Sequence, residues 1–356
     1  MMQNPHPSAS TAIILSGLLL AAPTLCSAQT PPATSPQEAA PAVTGTAKLR
    51  ADAESLRPLF PSALAQEFLG AVPNLPDVAP RTLYFDPALR RWYKKADAEA
   101  LDEKTRASLR ERPVDFYETK YGSPLAYARP IEILATAKLD PPVRGFDHTR
   151  ILDYGYGTIG HLKILSALGA AATGVDVDPM LPLLYSEPGD LSAPEGAPGS
   201  RAGSVTLVDG QFPAGPGVSD QVGRNYDLFI SKNTLKNGYI HPAQPVDPRM
   251  LVHLGLPDEG FVHTLYATLK PGGVAIIYNL CPAPAPEGKP YIPWADGRCP
   301  FPREMWEKAG FQVVAFDERD DAPARAMARA LGWDKSGMNV DTDLFAWYSV
   351  FQRPIE

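Results

Sequence analysis

The stretch "LDYGYGTIG" places Asp153, Gly155, Gly157 and Gly160 in a turn between an apolar run and the helical segment "HLKILSALG". Glycines permit the positive φ angles of a tight turn and let backbone N–H groups approach a ligand closely. The helix N-terminus that follows favours an electronegative group. Asp176 lies near the end of the next apolar run, "AATGVDV", 21 residues after Gly155. A carboxylate at this spacing can accept hydrogen bonds from ribose hydroxyls.

Two cofactor classes fit this spacing, a nicotinamide dinucleotide and S-adenosylmethionine. Asp153 stands two residues before the first glycine. A carboxylate at this point repels a pyrophosphate and attracts the ammonium of a methionine moiety. Asp153 therefore favours S-adenosylmethionine, and the dinucleotide stays as the alternative.

Further along the chain, short strand-like runs alternate with helical stretches, which is typical of a parallel sheet. The seven predicted strands are "RILDY", "AATGVDV", "SVTLVD", "YDLFIS", "GVAIIYN", "FQVVAFDE" and "LFAWYSVF". With the glycine turn, the segments "VTLVDGQFP", "NYDLFISKNTL", "LKPGGVAIIYN" and "WEKAGFQVVAFDE" make residues 150–352 resemble the class I S-adenosylmethionine-dependent methyltransferases. The resemblance implies an α/β fold with a Rossmann-like, seven-stranded, mostly parallel sheet whose last strand is antiparallel.

The resemblance also implies where the cofactor lies. It implies that Asp153 and the turn of Gly155, Gly157 and Gly160 lie near the methionine moiety, Asp176 at the ribose and Asp209 near the adenine amino group. The chain departs from the family at the third glycine, because Ile159 occupies its usual position and Gly160 follows. In several members of the family the segment entering the sheet closes over the donor. This predicts that Tyr117 and Tyr121 border the pocket, with core packing as the alternative.

The acceptor side is predicted in "SKNTLKNGYIHP", which follows the fourth predicted strand and, by the resemblance, faces the donor methyl group. Lys232 and Asn233 are candidates for orienting a polar acceptor, and His241 is a candidate proton acceptor. Methyl transfer from a charged donor can gain most of its acceleration from positioning. We therefore expect an enzyme that methylates a small-molecule or envelope-associated acceptor.

Two other functions remain open at this stage, namely a binding module of the same fold without catalysis and an NAD-dependent oxidoreductase. The net charge of -7 and the lack of a long basic block argue against a nucleic-acid partner. The histidines are dispersed without the paired spacing of a metal site. The partner is thus expected to be a small molecule, and the oligomeric state is left open.

The N-terminus predicts export. An apolar run over residues 12–25 is too short to span a bilayer and is followed by the small residues of "LCSAQT". We predict a signal peptide over residues 1–28 cut after Ala28, although no Lys or Arg precedes the run; an uncleaved membrane tether or a cryptic leader are the alternatives. A Pro- and Ala-rich disordered linker is predicted over 29–47, a helical cap region over 48–136 and a methyltransferase-like domain over 137–356. The mature protein is expected to be periplasmic or secreted, with no stable membrane insertion.

Cys281 and Cys299 remain in the predicted mature chain, 18 residues apart. In an exported protein an even number of cysteines favours a disulfide bond. Two buried free thiols are the alternative, expected of a protein that folds in the cytoplasm.

Overall fold

The computed structural model describes residues 45–196 and 203–355. The predicted signal peptide over residues 1–28 lies outside the described residues, as does the predicted linker up to residue 44, so both stay predictions. The first helix begins at Gly45. The last three residues assigned to the linker therefore belong to a helix.

Ten strands and thirteen helices make up the described parts of the chain. The strands are β1 (Arg81–Asp86), β2 (Arg91–Tyr93), β3 (Arg110–Val114), β4 (Arg150–Tyr154), β5 (Ala171–Asp176), β6 (Ser204–Asp209), β7 (Tyr226–Lys232), β8 (Leu269–Cys281), β9 (Gln312–Arg319) and β10 (Phe345–Gln352). The helices are α1 (Gly45–Leu56), α2 (Ala63–Gly70), α3 (Lys95–Glu99), α4 (Glu103–Ser108), α5 (Ala128–Thr136), α6 (Gly160–Ala167), α7 (Leu181–Leu184), α8 (Val218–Val222), α9 (Asn237–Ile240), α10 (Asp258–Thr268), α11 (Arg303–Lys308), α12 (Asp321–Ala330) and α13 (Val340–Asp343). Among these helices, none is long and apolar enough to cross a membrane.

The larger sheet has seven strands in the order β6-β5-β4-β7-β8-β10-β9. Strands β4 to β8 pair in parallel, whereas β10 pairs antiparallel with both β8 and β9. All seven predicted strands and the antiparallel last strand are confirmed, and the architecture is Rossmann-like. The chain runs outward from β4 to β6 and then returns to the other side of β4, which makes the carboxyl end of β4 the topological switch point where ligands of open α/β sheets bind.

Two apolar cores cover the two faces of this sheet. Alternate residues of one strand enter different cores, as Ile151 and Leu152 of β4 show. The core that contains Ile151 also contains Leu49 of α1 and Phe68 of α2. Residues 45–136, the N-terminal region, therefore pack directly on the sheet face and share its core.

The N-terminal region is not helical throughout. Strands β1, β2 and β3 form a separate antiparallel sheet in the order β2-β1-β3. The sequence "RTLYFD" of β1 is rich in residues that favour strands. Asp86 then accepts hydrogen bonds from the N–H groups of Ala88 at 2.8 Å and Leu89 at 3.0 Å, and Arg90 has a φ of 53°, so the chain reverses into β2. The prediction of a helical cap is therefore wrong at β1, β2 and β3, although the helices α3 and α4 do lie between β2 and β3.

The predicted disulfide bond is also wrong, because Cys281 and Cys299 are both free and buried. Cys281 ends β8, and its thiol lies 3.7 Å from the carbonyl oxygen of Phe345 on β10. Cys299 lies in the apolar core that contains Leu152. Burial raises the pKa of Cys299 to about 12, which keeps its thiol protonated.

Candidate functional site

A cavity opens at the carboxyl ends of β4, β5 and β7, at the switch point of the sheet. Its volume of about 30 Å³ leaves room for about two water molecules. Five of the predicted site residues meet here, together with four that the sequence analysis did not assign to the site. The lining residues are Tyr121, Tyr127, Gly155, Tyr156, Thr158, Asp176, Lys232, Asn233 and Thr234.

The first two glycines of the turn are required by their surroundings. Gly155 has a φ of 77° and Gly157 a φ of 56°. A Cβ atom on Gly155 would lie 2.1 Å from the hydroxyl oxygen of Thr234, and one on Gly157 would lie 2.7 Å from the ring of Tyr121. Any side chain at either position would therefore close the cavity or displace its walls.

Gly160 has a different role from the other two glycines. It begins α6, and a Cβ atom there would lie 2.7 Å from the side chain of Pro124. Gly160 thus allows α6 to approach the N-terminal region closely, and it does not line the cavity.

Asp176 is held rigidly at the cavity wall. Its Oδ1 accepts hydrogen bonds from the N–H groups of Val177 at 2.7 Å and Asp178 at 2.9 Å, and its Oδ2 accepts one from Gly157 at 3.0 Å. A carboxylate has about four acceptor positions, so about one stays available to a ligand. Burial raises the pKa of Asp176 to about 6, although the backbone N–H groups act in the opposite direction. On the neighbouring strand β6, Asp209 is exposed and lies in register with Asp176, outside the cavity.

Asp153 does not reach the cavity itself. The side chain is fully buried, and its Oδ2 accepts hydrogen bonds from the hydroxyl of Tyr127 at 2.7 Å and from Nε2 of His161 at 2.5 Å. The rings of Tyr127 and His161 stack with their centroids 3.6 Å apart. Burial lowers the pKa of His161, so the imidazole is neutral and Nε2 carries the donated proton. Asp153 therefore meets the cavity only through Tyr127.

Tyr121 borders the cavity, where its ring covers Gly157. The hydroxyl of Tyr121 donates a hydrogen bond of 2.5 Å to Oδ2 of Asp178, and Lys120 forms an ion pair of 2.7 Å with the same oxygen. Tyr117, in contrast, is buried in the core, and its hydroxyl donates to the carbonyl oxygen of Pro76 at 2.8 Å. Of the two predicted tyrosines, only Tyr121 lines the cavity.

The predicted acceptor-side residues separate into two groups. Lys232 and Asn233 line the cavity, and Asn233 adopts a φ of 66° while its Oδ1 accepts a hydrogen bond of 2.7 Å from the N–H of Leu280. His241 lies outside the cavity, and its Nε2 is 2.8 Å from Oδ2 of Asp258. The structure therefore does not bring His241 to the other site residues.

Lys232 is a buried cation at the cavity wall, 7% exposed. Its ammonium lies 5.1 Å from the centroid of the Tyr127 ring. Burial lowers the pKa of Lys232 to about 8, against the opposing effect of the Asp153 carboxylate. Within residues 45–196 and 203–355, no group of His, Cys, Asp or Glu side chains is arranged to hold a metal ion.

Four lining residues were missed from the sequence. Tyr156 and Thr158 stand between and after the glycines of the turn, so their position alone could have indicated them. Tyr127 ends a 3₁₀ turn of the N-terminal region, and Thr234 follows β7. Tyr127 reaches the cavity because the N-terminal region packs on the sheet, which no local pattern shows. Thr234 directly follows the predicted residues Lys232 and Asn233, so its position could have indicated it.

Comparison with known proteins gives no match to a family model and no match among curated proteins. Solved structures give weak likenesses. A phospholethanolamine N-methyltransferase from Haemonchus contortus, in complex with S-adenosylhomocysteine, is 14% identical over 70% of this chain and 63% of its own, with a TM-score of 0.35. An arsenic(III) S-adenosylmethionine methyltransferase from Chlamydomonas reinhardtii is 16% identical over 61% of this chain and 67% of its own, with a TM-score of 0.32.

A third likeness is to the magnesium protoporphyrin IX methyltransferase of Synechocystis PCC 6803, solved with bound S-adenosylmethionine. It is 14% identical over 58% of this chain and 71% of its own, with a TM-score of 0.30. Function is therefore inferred from the residues of the cavity.

Proposed function

We propose that this chain binds S-adenosylmethionine in the cavity and transfers its methyl group to a small-molecule acceptor. The observation that carries the proposal is Asp176, a carboxylate fixed at the end of β5 by three backbone N–H groups, with acceptor capacity left toward the cavity. Such a fixed acceptor beside a glycine turn is suited to a ribose hydroxyl.

The residues present fit the cofactor. Asp176 would accept from the ribose, and Asp209 on the adjacent strand end would lie near the adenine. The open backbone at Gly155 would face the methionine moiety, with Asn233 on the far side of the cavity. When bound, the cofactor supplies an activated methyl group. The chain's own residues then hold donor and acceptor in line and exclude water, which can account for most of the rate acceleration.

The ring of Tyr121 occupies space that the cofactor would need. Its ring lies on the backbone of Gly157, at the point where a ligand must approach the turn. The cavity of about 30 Å³ is also far below the roughly 300 Å³ of ordinary ligand pockets. Binding therefore requires Tyr121 to swing away from Gly157, which breaks its hydrogen bond to Asp178.

Calorimetric titration of the purified chain with S-adenosylmethionine, S-adenosylhomocysteine and NAD tests the proposal. We expect binding of the first two and none of NAD. Asp176→Ala should weaken S-adenosylhomocysteine binding by at least about tenfold, since it removes a hydrogen bond to a charged group. Asp258→Ala is the control, because Asp258 is an aspartate paired with His241 outside the cavity. Equal affinities of the parent and Asp176→Ala would show that the cofactor site is wrongly assigned, and binding of NAD alone would favour an oxidoreductase.

A second candidate is a binding module that keeps the cofactor pocket without methylating an acceptor. The position of His241 favours it, because the predicted proton acceptor lies outside the cavity. Incubation with methyl-labelled S-adenosylmethionine and small-molecule or envelope extracts separates the two. Label transferred by the parent and lost in Asp176→Ala supports the enzyme, whereas binding without transfer supports the module.

Export is also part of the proposal, resting on the sequence of residues 1–28. Expression of the full chain with a C-terminal tag, followed by cell fractionation and N-terminal mass spectrometry, tests it. We expect a chain that begins at Gln29 in the periplasmic or secreted fraction. A cytoplasmic chain that retains residues 1–28 would contradict it.

A further inference from the structure

The ammonium of Lys232 has no hydrogen-bond acceptor and no ion-pair partner in the described structure. An ammonium group has three N–H donors. Throughout residues 45–196 and 203–355 no side chain or backbone oxygen accepts a hydrogen bond from Lys232, and no carboxylate forms an ion pair with it; its close contact is the face of the Tyr127 ring. Burying a cation without an acceptor is costly. The side chain nevertheless lines the cavity, so a ligand there can supply the missing acceptor.

Lys236, four residues after Lys232, is also a buried lysine, but its ammonium has an acceptor. It is 4% exposed, and burial lowers its pKa to about 8 as for Lys232. Its ammonium, however, donates a hydrogen bond of 2.6 Å to the carbonyl oxygen of Leu280 and lies 5.3 Å from the Tyr239 ring. Lys236 does not line the cavity. The lysine that faces the cavity is thus the one that lacks an acceptor.

The two nearby carboxylates do not fill this role. Asp153 uses its Oδ2 for Tyr127 and His161, and its Oδ1 has no hydrogen-bond partner within the described residues. Asp176 accepts three backbone N–H groups and stands at the end of a different strand. Neither carboxylate accepts a hydrogen bond from Lys232 in the described structure, so the ammonium is available to an acceptor group of a molecule bound in the cavity.

The spacing of the strands identifies which part of the cofactor arrives there. Asp176 ends β5 and Lys232 ends β7, with β4 and the Gly155 turn between them. Two strand spacings amount to about 10 Å. The methionine tail leaves the ribose at its 5′ carbon, passes through sulfur and an aliphatic chain, and ends in a carboxylate. With the ribose at Asp176, an extended tail would pass the Gly155 turn, and its carboxylate would reach the end of β7.

We propose that Lys232 binds the carboxylate of the methionine moiety of the cofactor, an inference that rests on the proposed function. Lys232 then belongs to the donor side of the cavity, whereas the sequence analysis assigned it to the acceptor side. The ammonium and the carboxylate form a charge-assisted pair away from bulk water, where such pairs are strongest.

Binding of ligands that differ only in the tail tests this role without any measurement of turnover. S-adenosylhomocysteine carries the carboxylate, 5′-methylthioadenosine lacks the whole amino acid, and decarboxylated S-adenosylmethionine lacks only the carboxylate of the cofactor. In Lys232→Met, S-adenosylhomocysteine should bind about 10- to 100-fold more weakly than in the parent. Binding of methylthioadenosine should change by less than about twofold. The parent itself should bind decarboxylated S-adenosylmethionine more weakly than S-adenosylmethionine.

Two further variants sharpen the experiment. Lys236→Met makes the same change at a buried lysine outside the cavity and should leave the preference for the carboxylate intact. Lys232→Arg keeps the charge and should restore part of the affinity for S-adenosylhomocysteine. Thermal unfolding of each variant shows whether it is folded.

Several results would overturn the role of Lys232. Equal weakening of S-adenosylhomocysteine and methylthioadenosine in Lys232→Met would mean that Lys232 only shapes the cavity, and no weakening of either would mean that it contacts neither. Equal binding of S-adenosylmethionine and its decarboxylated form by the parent would contradict the role without any variant. A parent that binds none of the adenosyl ligands would instead refute the proposed function.

Discussion

Two buried charged clusters join the N-terminal region to the sheet, and they are built differently. In the first cluster, Arg129 of α5 forms two hydrogen bonds to the Asp320 carboxylate, at 2.8 and 2.6 Å, and Tyr278 of β8 donates a third at 3.0 Å. We call it the closed cluster. The open cluster is formed by Tyr127, Asp153, His161 and Lys232.

The open cluster leaves polar atoms without partners among the described residues, namely Asp153 Oδ1, His161 Nδ1 and the ammonium of Lys232. Tyr127 and Arg129 are two residues apart in the chain, so one short segment contributes to both clusters. The closed cluster satisfies its charges internally, so removing one partner would leave an uncompensated buried charge. Of the residues with unpartnered atoms in the open cluster, Lys232 lines the cavity, whereas Asp153 and His161 are fully buried and do not line it.

The largest expected effect comes from breaking the closed cluster. Arg129→Met leaves Asp320, 3% exposed, without its counter-charge. We expect the free energy of unfolding to fall by about 3–5 kcal/mol, measured by urea denaturation. As a control, Arg329→Met breaks the exposed ion pair with Asp341 and should cost at most about 1 kcal/mol. Equal small losses in both variants would show that the closed cluster contributes little.

Replacing the cation of the open cluster by Met should have the opposite effect on stability. Lys232→Met removes a buried charge that has no partner in the described chain, so the free energy of unfolding should rise by about 1–3 kcal/mol at pH 7. The gain should depend on pH. Because the pKa of Lys232 is about 8 in the folded state and 10.5 when unperturbed, the unfolded state binds more protons between those values, and parent stability rises with pH across them. The difference between parent and Lys232→Met should therefore shrink from pH 8 to pH 10.5, and a difference that stays constant would contradict the assignment.

A smaller effect is expected from pH at the cavity itself. The raised pKa of Asp176, about 6, means that the carboxylate becomes protonated as pH falls below 6. If the ionised form accepts from the ribose, S-adenosylhomocysteine affinity should fall about fivefold between pH 6 and pH 5, because the ionised fraction of a group with a pKa of about 6 falls by that factor. Calorimetry over this range measures it. Asp176→Asn cannot ionise and should bind weakly with a flat profile, so a parallel decline in both proteins would assign the pH effect to another group.

The smallest expected effect is at Tyr121. Tyr121→Phe keeps the ring over Gly157 and removes the hydrogen bond to Asp178. If this bond favours the closed position of the ring, its loss raises the fraction of molecules able to bind, and S-adenosylhomocysteine should bind a few-fold more tightly. Tyr117→Phe, whose hydroxyl bonds to Pro76 in the core, is the control and should not tighten binding. Weaker binding by Tyr121→Phe would instead give the hydroxyl a part in holding the ligand.

The sequence predicted what short-range pattern determines. The strands β4 to β10 were recognisable as short apolar runs separated by turns and helical stretches. Gly155 and Gly157 were recognisable because the turn needs positive φ angles, which glycine adopts readily. Asp176 followed from its distance to that turn. These features depend on neighbours within a single strand-turn-helix unit.

What the sequence did not predict depends on packing between distant segments. Asp153 was expected at the ligand, yet Tyr127, 26 residues earlier, covers it. The disulfide bond was expected from compartment and cysteine number, but pairing requires two thiols to face each other, and Cys299 enters an apolar core instead. The strands β1 to β3 were missed because α3 and α4 lie among them and because a strand as short as β2, three residues, leaves little periodicity to detect.

The position of β10 determines when the sheet can be completed during synthesis. It follows the other nine strands in the chain, yet it lies between β8 and β9 in the sheet. Until residues 345–352 have emerged from the ribosome, β9 has no neighbouring strand and β8 exposes one edge, so the sheet cannot close while translation of this segment is under way. During this interval the nascent chain has two unpaired strand edges to which chaperones can bind.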